Sequence, residues 1–215
     1  MKKGLTELVF ILDRSGSMSG LESDTIGGFN SMIKKQIKTE GEANVTTVLF
    51  DDRVEILHDR EAIENVRDID QSQYYVRGCT ALLDAVGTTI CKVKNVQKKL
   101  DEKLKADKII FVITTDGYEN SSKEYSCSGL KRLIERQKER YEWEFVFLGA
   151  NMDAVAEAEK FGISADRSAT YVNDKKGVAM SYRSVSDFVC ECRTCDERID
   201  GCWKKDIEED TDNRK

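Results

Sequence analysis

One stretch of the chain decides the fold: Leu8-Val9-Phe10-Ile11-Leu12-Asp13-Arg14-Ser15-Gly16-Ser17-Met18. Its first five residues are apolar and show no polar alternation, which is typical of a strand buried on both faces of a mostly parallel sheet. The run stops at an aspartate, which is followed by two alternating serines. Ligands of open α/β sheets bind at the carboxyl ends of the strands. We therefore expect Asp13, Ser15 and Ser17 to face a ligand crevice, where their oxygen atoms suit a hard divalent cation.

Two later stretches offer the same kind of oxygen ligand. Gly78-Cys79-Thr80-Ala81-Leu82-Leu83-Asp84 places Thr80 at the start of a predicted helix, and the apolar strand 109–115 ends at Asp116-Gly117. Short polar side chains also cap helices at such turns, and capping is the simpler interpretation of the first stretch alone. The three stretches together favour a site, because the carboxyl ends of parallel strands meet at one edge of a sheet.

The combined pattern resembles the von Willebrand factor A-type (VWA) domain. This family carries a metal-ion-dependent adhesion site (MIDAS), written Asp-x-Ser-x-Ser, then a distant Thr and a distant Asp. The resemblance covers residues 5–175 and assigns the metal site to Asp13, Ser15, Ser17, Thr80 and Asp116. It implies that the serine hydroxyls bind the cation directly, that the aspartates often act through water, and that Thr80 joins when a ligand is engaged. A glutamate or aspartate of a partner protein then completes the coordination.

The rest of the chain alternates predicted strands with amphipathic helices. This order predicts an α/β fold with a doubly wound, mostly parallel central sheet, one antiparallel edge strand and helices on both faces, the Rossmann-like fold of VWA domains. The antiparallel strand follows from a hairpin over residues 43–58, whose turn is Asp51-Asp52-Arg53. His58, the only histidine, is expected to be a solvated residue of that edge strand.

Length and composition limit the organisation and the partners. A chain of 215 residues suits one well-buried domain, which we predict over residues 1–189, followed by a charged, cysteine-containing tail over 190–215. The formal net charge of −6 argues against a general nucleic-acid surface. No apolar stretch approaches the ~20 residues that a membrane helix needs, and the run 8–12 is too short for a signal-peptide core. We expect a cytoplasmic protein of bacterial type without a membrane partner, and we favour a monomer.

The tail holds four of the seven cysteines: Cys190, Cys192, Cys195 and Cys202. Four thiolates can enclose a structural zinc ion, but the spacing Cys-x-Cys-x-x-Cys lacks the two separated pairs of common zinc ribbons. We favour reduced, unpaired thiols, which suit a cytoplasmic protein. The final residues 207–215 are charged and are expected to fray.

Arg14 occupies the first variable position of the Asp-x-Ser-x-Ser pattern and places a cation close to the expected metal ion. It can pair with a nearby carboxylate or recruit an acidic ligand. We favour a third interpretation, in which Arg14 faces outward from the surface.

These observations predict a metal-dependent protein-interaction module, an adaptor and not an enzyme. Its cation is Mg²⁺, with Mn²⁺ or Ca²⁺ as alternatives, and its partner offers an acidic side chain. One alternative is a Mg²⁺-dependent hydrolase or phosphotransferase, because an aspartate at a strand end also begins aspartyl-phosphate chemistry. That alternative lacks a second aspartate two positions after Asp13, a phosphate-binding loop, and any histidine besides His58. Another alternative is a thiol or zinc protein that acts through the four tail cysteines.

Overall fold

The central sheet positions the loops that carry the predicted site residues. A computed structural model describes residues 2–195 and 199–214. Within them the strands are β1 (Lys2–Asp13), β2 (Ala43–Phe50), β3 (Val54–Ala62), β4 (Ala106–Thr115), β5 (Glu144–Ala150) and β6 (Ser168–Tyr171). They form one sheet in the order β3-β2-β1-β4-β5-β6. All neighbouring pairs are parallel except β2 and β3, which are antiparallel. The predicted fold class is confirmed.

Helices cover both faces of this sheet. They are α1 (Glu22–Ile37), α2 (Leu82–Lys99), α3 (Cys127–Tyr141), α4 (Ala154–Lys160), α5 (Lys175–Thr194) and α6 (Lys205–Asp212). Apolar residues of α1, α5 and α6 pack on one face, and those of α2, α3 and α4 pack on the other. In the parts of the chain that the structure describes, no helix is long and apolar enough to cross a membrane.

The apolar run of β1 is continuous because both faces of the strand are covered. Successive side chains of a strand point to opposite faces. Leu8, Phe10 and Leu12 therefore pack with α1 and α5, whereas Val9 and Ile11 pack with α2 and α3. All five side chains are buried, so β1 forms the centre of both hydrophobic cores.

The strand order reverses beside β1. The chain passes from β1 through α1 to β2 on one side, and it returns through α2 to β4 on the other side. Ligands of doubly wound sheets bind at such a reversal, outside the carboxyl ends of the strands. Leu12 of β1 pairs with Thr114 of β4, which brings the ends of these two strands together.

His58 is not solvated, contrary to the expectation. It is buried, and its Nδ1 lies 3.0 Å from Thr47 Oγ1. The reason is the length of β3, which continues to Ala62 and places His58 in the middle of the strand, in register with Thr47 of β2. The solvated part of this edge lies closer to the hairpin turn, where Val54 and Ile56 are exposed.

The C-terminal segment packs on the domain. Helix α5 continues to Thr194, and Ile207 of α6 is buried in the same core as α1 and α5. Thr211 Oγ1 donates a hydrogen bond of 2.9 Å to the carbonyl oxygen of Thr170 in β6. The expected fraying is therefore wrong for residues 207–212. The segment is mostly charged, but its one apolar residue, Ile207, anchors helix α6 in the core. The division into residues 1–189 and 190–215 stays a prediction.

Candidate metal centre

The three predicted loops converge at the carboxyl edge of β1 and β4. Asp13 is the last residue of β1, and the 3₁₀ turn Gly16–Met18 follows it. Thr80 lies two residues before α2, and Asp116 directly follows β4. Backbone hydrogen bonds tie these loops to each other, including one of 3.2 Å from the Gly16 amide to the Gly78 carbonyl oxygen. The positions of the functional side chains are therefore set by the sheet and by direct contacts between loops.

The five predicted side chains form one continuous cluster. Ser15 Oγ and Ser17 Oγ are 3.0 Å apart, and Thr80 Oγ1 donates a hydrogen bond of 3.1 Å to Ser15 Oγ. Ser17 Oγ donates a hydrogen bond of 2.5 Å to Asp116 Oδ1. Asp13 Oδ1 accepts a hydrogen bond of 2.7 Å from the Ser15 amide. The structure thus brings all five residues together, and their role as metal ligands stays a prediction.

Both carboxylates of the cluster lack a cationic partner among the residues that the structure describes. Within residues 2–195 and 199–214, no lysine or arginine forms an ion pair with Asp13 or Asp116. Burial raises the pKa of Asp13 to about 6, although hydrogen bonds from Thr115 and Ser15 act in the opposite direction. Burial also raises the pKa of Asp116. Removing charged groups from water without a counterion is unfavourable, so a divalent cation would supply the charge that the cluster lacks.

The donor set fits a hard divalent cation. Its side chains offer only oxygen atoms, and Mg²⁺ binds oxygen at about 2.0–2.1 Å in an octahedron. Neighbouring ligands of such an octahedron are about 2.9 Å apart, close to the 3.0 and 3.1 Å between the three hydroxyl oxygens. Gly117 keeps the space beside them open, because a Cβ atom there would lie 3.0 Å from Thr80 Oγ1 and 3.2 Å from Ser17 Oγ.

Two buried hydroxyls that sequence reasoning missed support Asp13. Thr115 Oγ1 donates a hydrogen bond of 2.6 Å to Asp13 Oδ2. Tyr74 is buried, and its hydroxyl donates a hydrogen bond of 2.5 Å to the Asp13 carbonyl oxygen. The position of Thr115, one residue before Asp116, is a signal that could have identified it. Nothing local to Tyr74 indicates its contact with Asp13.

Two further side chains hold the Asp116 and Thr80 loops. Asn173 Nδ2 donates a hydrogen bond of 3.2 Å to Asp116 Oδ2. Glu119 accepts hydrogen bonds from the Leu83 amide at 2.9 Å and from two amides of its own loop. Glu119 therefore links the start of α2 to the loop after β4. Both contacts cross long sequence separations, which single-sequence patterns do not reveal.

Arg14 is buried, so the favoured outward-facing role is wrong. Its Nε donates a hydrogen bond of 2.9 Å to Asp51 Oδ2, its Nη2 donates one of 2.7 Å to Glu55 Oε2, and its guanidinium lies 5.4 Å from the Tyr75 ring centre. Burial raises the pKa of Asp51, but hydrogen bonds from Arg77 and Arg14 contribute to holding it below its usual value. Arg14 is buried because Asp51 supplies a carboxylate partner for its guanidinium. Asp51 directly follows β2, beside the end of β1.

The four C-terminal cysteines do not form a cluster. Cys190 Sγ lies 3.1 Å from Gln36 Nε2 and 3.1 Å from Thr39 Oγ1, whereas Cys192 packs against the apolar core. Cys195 and Cys202 are exposed, and all seven cysteines of the chain are free thiols. Among the described residues, no group of three or more His, Cys, Asp or Glu side chains could hold a metal ion. The structure therefore gives no zinc cage at these thiols.

Comparison with known proteins shows similarity at the level of structure. No protein-family model and no curated protein matches the chain. A mussel byssus protein, proximal thread matrix protein 1 with a zinc-occupied MIDAS motif, matches with a TM-score of 0.59 and 17% identity over 87% of this chain and 46% of its own. The vWF domain of the type V pili tip protein Mfa5 from Porphyromonas gingivalis matches with a TM-score of 0.63 and 10% identity, over 90% of this chain and 98% of its own. The manganese-loaded TRAP protein of Plasmodium vivax matches with a TM-score of 0.57 and 16% identity, over 84% of this chain and 73% of its own.

These similarities show the fold. The chain has the VWA fold, and it spans about half the length (46%) of the mussel protein. Metal ions occur in two of these structures, at the MIDAS motif of the mussel protein and in the Plasmodium protein.

Proposed function

We propose that this protein is a metal-dependent protein-interaction module that binds an acidic side chain of a partner through a divalent cation at an intact MIDAS. One observation carries the proposal: three hydroxyls and two carboxylates, brought from three separate loops, meet at the strand-order reversal. The proposed ligands are Asp13, Ser15, Ser17, Thr80 and Asp116.

The charge of the cluster favours an acidic partner. Three of its five side chains are neutral, so a bound cation would keep more of its positive charge than in a cage of carboxylates. A cation whose coordination is incomplete can accept a carboxylate from a partner in place of water. The residues of this chain hold the cation and orient the hydroxyls, and the Thr80 loop faces the incoming ligand.

The choice of cation rests on the donor chemistry. Oxygen ligands alone, at separations that suit a small octahedron, favour Mg²⁺. The zinc of the mussel protein and the manganese of the Plasmodium protein support a divalent cation of some kind. Mn²⁺ and Ca²⁺ are therefore the alternatives to compare with Mg²⁺.

We also propose binding and not catalysis, in a cytoplasmic adaptor of bacterial type that is monomeric and binds no nucleic acid. The only histidine, His58, contacts Thr47 between β2 and β3 and does not belong to the cluster. The seven free thiols suit a reducing compartment. Phosphatase assays with Mg²⁺ test the catalytic alternative, and turnover that disappears in the Asp13→Asn variant would favour it.

Thermal unfolding with and without metal tests the site. The unfolding temperature of the wild-type protein is measured in EDTA, Mg²⁺, Mn²⁺ and Ca²⁺. The same series is measured for Ser15→Ala and for the matched control Ser19→Ala, which changes an exposed side chain just beyond the motif. A cation at 100 times its dissociation constant should stabilise the wild type by ~2.7 kcal/mol, which corresponds to roughly 5–10 °C in a domain of this size. Ser19→Ala should keep the shift and Ser15→Ala should lose it.

The partner is then sought with the full chain as bait, in Mg²⁺ and in EDTA. We expect a partner that binds wild-type protein in Mg²⁺, is released by EDTA, and does not bind Asp116→Ala. Binding that persists in both EDTA and the variant would contradict the proposal.

A further inference from the structure

Asn173 connects the candidate metal centre to the longest helix of the described chain. It lies in the short connection between β6 and α5, far in sequence from the three motif loops. Its Nδ2 donates a hydrogen bond of 3.2 Å to Asp116 Oδ2. Ser17 Oγ donates to the other oxygen, Asp116 Oδ1. The Asp116 carboxylate is thus held from both sides, by a motif residue and by Asn173.

The oxygen of the Asn173 side-chain amide has no partner in the described part of the chain. This atom, Oδ1, is buried and accepts no hydrogen bond from any residue that the structure describes. Buried polar atoms are nearly always satisfied, and an orphaned one calls for a partner such as a water molecule or an ion. Among the described residues, the side-chain amide of Asn173 therefore makes its site contact through Nδ2 alone, and the acceptor is Asp116 Oδ2.

The backbone around Asn173 is fixed. Its amide donates a hydrogen bond of 3.4 Å to Asn151 Oδ1. Asp174 caps α5, because its Oδ1 accepts a bond of 2.8 Å from the Gly177 amide, and it also pairs with Arg214. The Asn173 side chain is therefore presented to Asp116 from a rigid support, as groups that orient metal ligands usually are.

We propose that Asn173 is a positioning residue of the metal centre. Its Nδ2 holds the Asp116 carboxylate in the orientation in which it faces the cation. This inference rests on the proposed function, because it needs a cation at the MIDAS. It adds a sixth side chain to the five of the motif.

Metal titration of the full chain tests the role of Asn173. Asn173→Ala removes the hydrogen bond to Asp116, and groups that orient metal ligands typically change affinity by about 10–100-fold. We expect the variant to bind Mg²⁺ and Mn²⁺ at least about tenfold more weakly than wild type, measured by calorimetry and by the metal-dependent shift in unfolding temperature. Circular dichroism and metal-free unfolding report whether the fold is retained.

Two matched variants separate positioning from general destabilisation. Asp174→Ala removes the adjacent helix cap but not the contact with Asp116, so it should lower the metal-free unfolding temperature and leave metal affinity unchanged. Asn95→Ala, at an exposed position of α2, should change neither. Equal losses of metal affinity in Asn173→Ala and Asp174→Ala would overturn the inference, as would wild-type affinity in Asn173→Ala. Wild-type protein that binds no cation would instead refute the proposed function itself.

Discussion

At the scale of single residues, Gly117 determines how closely the hydroxyls of the candidate site can approach. It directly follows Asp116, and its φ lies outside the left-handed region, so a side chain there would not strain the backbone. A Cβ atom would nevertheless lie 3.0 Å from Thr80 Oγ1, closer than most real Cβ contacts. The Thr80 hydroxyl, which donates a hydrogen bond to Ser15 Oγ, would have to shift by a few tenths of an ångström.

Gly117→Ala should therefore impair metal binding without unfolding the domain. We expect a dissociation constant for Mg²⁺ that rises by about tenfold or more, because ligand geometry is disturbed. Calorimetric titration gives the affinity, and metal-free unfolding gives the stability. Gly27→Ala is the matched control, since a Cβ at Gly27 meets no atom within 4 Å. Equal metal affinity in the two variants would show that the hydroxyls can shift without weakening metal binding.

The predictable part of the site is the part that local sequence encodes. Asp13 and Ser15 follow an apolar run directly, and a strand end that turns polar is visible in the sequence alone. Arg14 was misjudged because its partner Asp51 is 37 positions away. Asn173 was missed for the same reason, since its contact with Asp116 spans 57 positions.

At the scale of elements, the packing of α1 on α5 depends on a small residue. A Cβ at Gly28 of α1 would lie 2.5 Å from the Tyr182 ring of α5. At the preceding position, a Cβ at Gly27 would meet no atom within 4 Å. Tyr182 is buried and has little room to yield.

Gly28→Ala and Gly27→Ala should therefore change stability in opposite directions. Overpacking at Gly28 should destabilise the domain by about 1–3 kcal/mol. Alanine at the exposed position of Gly27 should stabilise helix α1 by about 0.5–1 kcal/mol. Urea unfolding of both variants measures the two effects, and a Gly28→Ala variant as stable as Gly27→Ala would contradict the close contact.

The β2–β3 hairpin should make stability depend on pH through His58. Burial lowers the pKa of His58 below its ordinary value of 6.5, although the charge of Glu61 acts in the opposite direction. The unfolded chain then binds the proton at a higher pH than the folded chain, so stability is lost as the pH falls below about 6.5. His58→Gln, which cannot titrate, should lose less stability than wild type between neutral and mildly acidic pH. The effect would be excluded if the free energy of unfolding of the two proteins changed equally with pH across this range.

Element types were predictable because period and length are local properties. Apolar runs gave the parallel strands, and 3.6-residue periodicity gave the helices. The end of β3 was not predictable, because Asp59, Arg60 and Glu61 are charged. The strand continues through an irregularity in register after His58, and Glu61 and Ala62 pair with β2 again.

At the scale of the whole molecule, the C-terminal segment contributes to the main core. Ile207 is 1% exposed and packs in the cluster that contains α1 and α5. The Trp203 ring centre lies 5.3 Å from that of Phe188 in α5. The overall sheet architecture could be inferred from the alternation of elements, but this docking could not, since Ile207 is the only apolar residue of α6.

Ile207→Ala should destabilise the whole domain. Loss of a buried isoleucine side chain costs about 2–5 kcal/mol. Ile37→Ala, the matched change at a residue that is 41% exposed, should stay within about 0.5 kcal/mol of wild type. Cooperative urea unfolding monitored by tryptophan fluorescence gives both values. A small effect at Ile207 would mean that the segment is independent of the domain, in agreement with a separate tail.

The two borders of the sheet have different consequences for self-association. An unpaired strand border is a template on which another chain can add a strand. Helix α6 lies along β6, and Thr211 occupies one of its carbonyl oxygens. The opposite border, β3, carries the charged residues Glu55, Asp59, Arg60 and Glu61, and charged side chains on an edge strand disfavour the addition of another strand. Both borders thus disfavour amyloid-like growth, one through a helix that packs on it and the other through charged side chains.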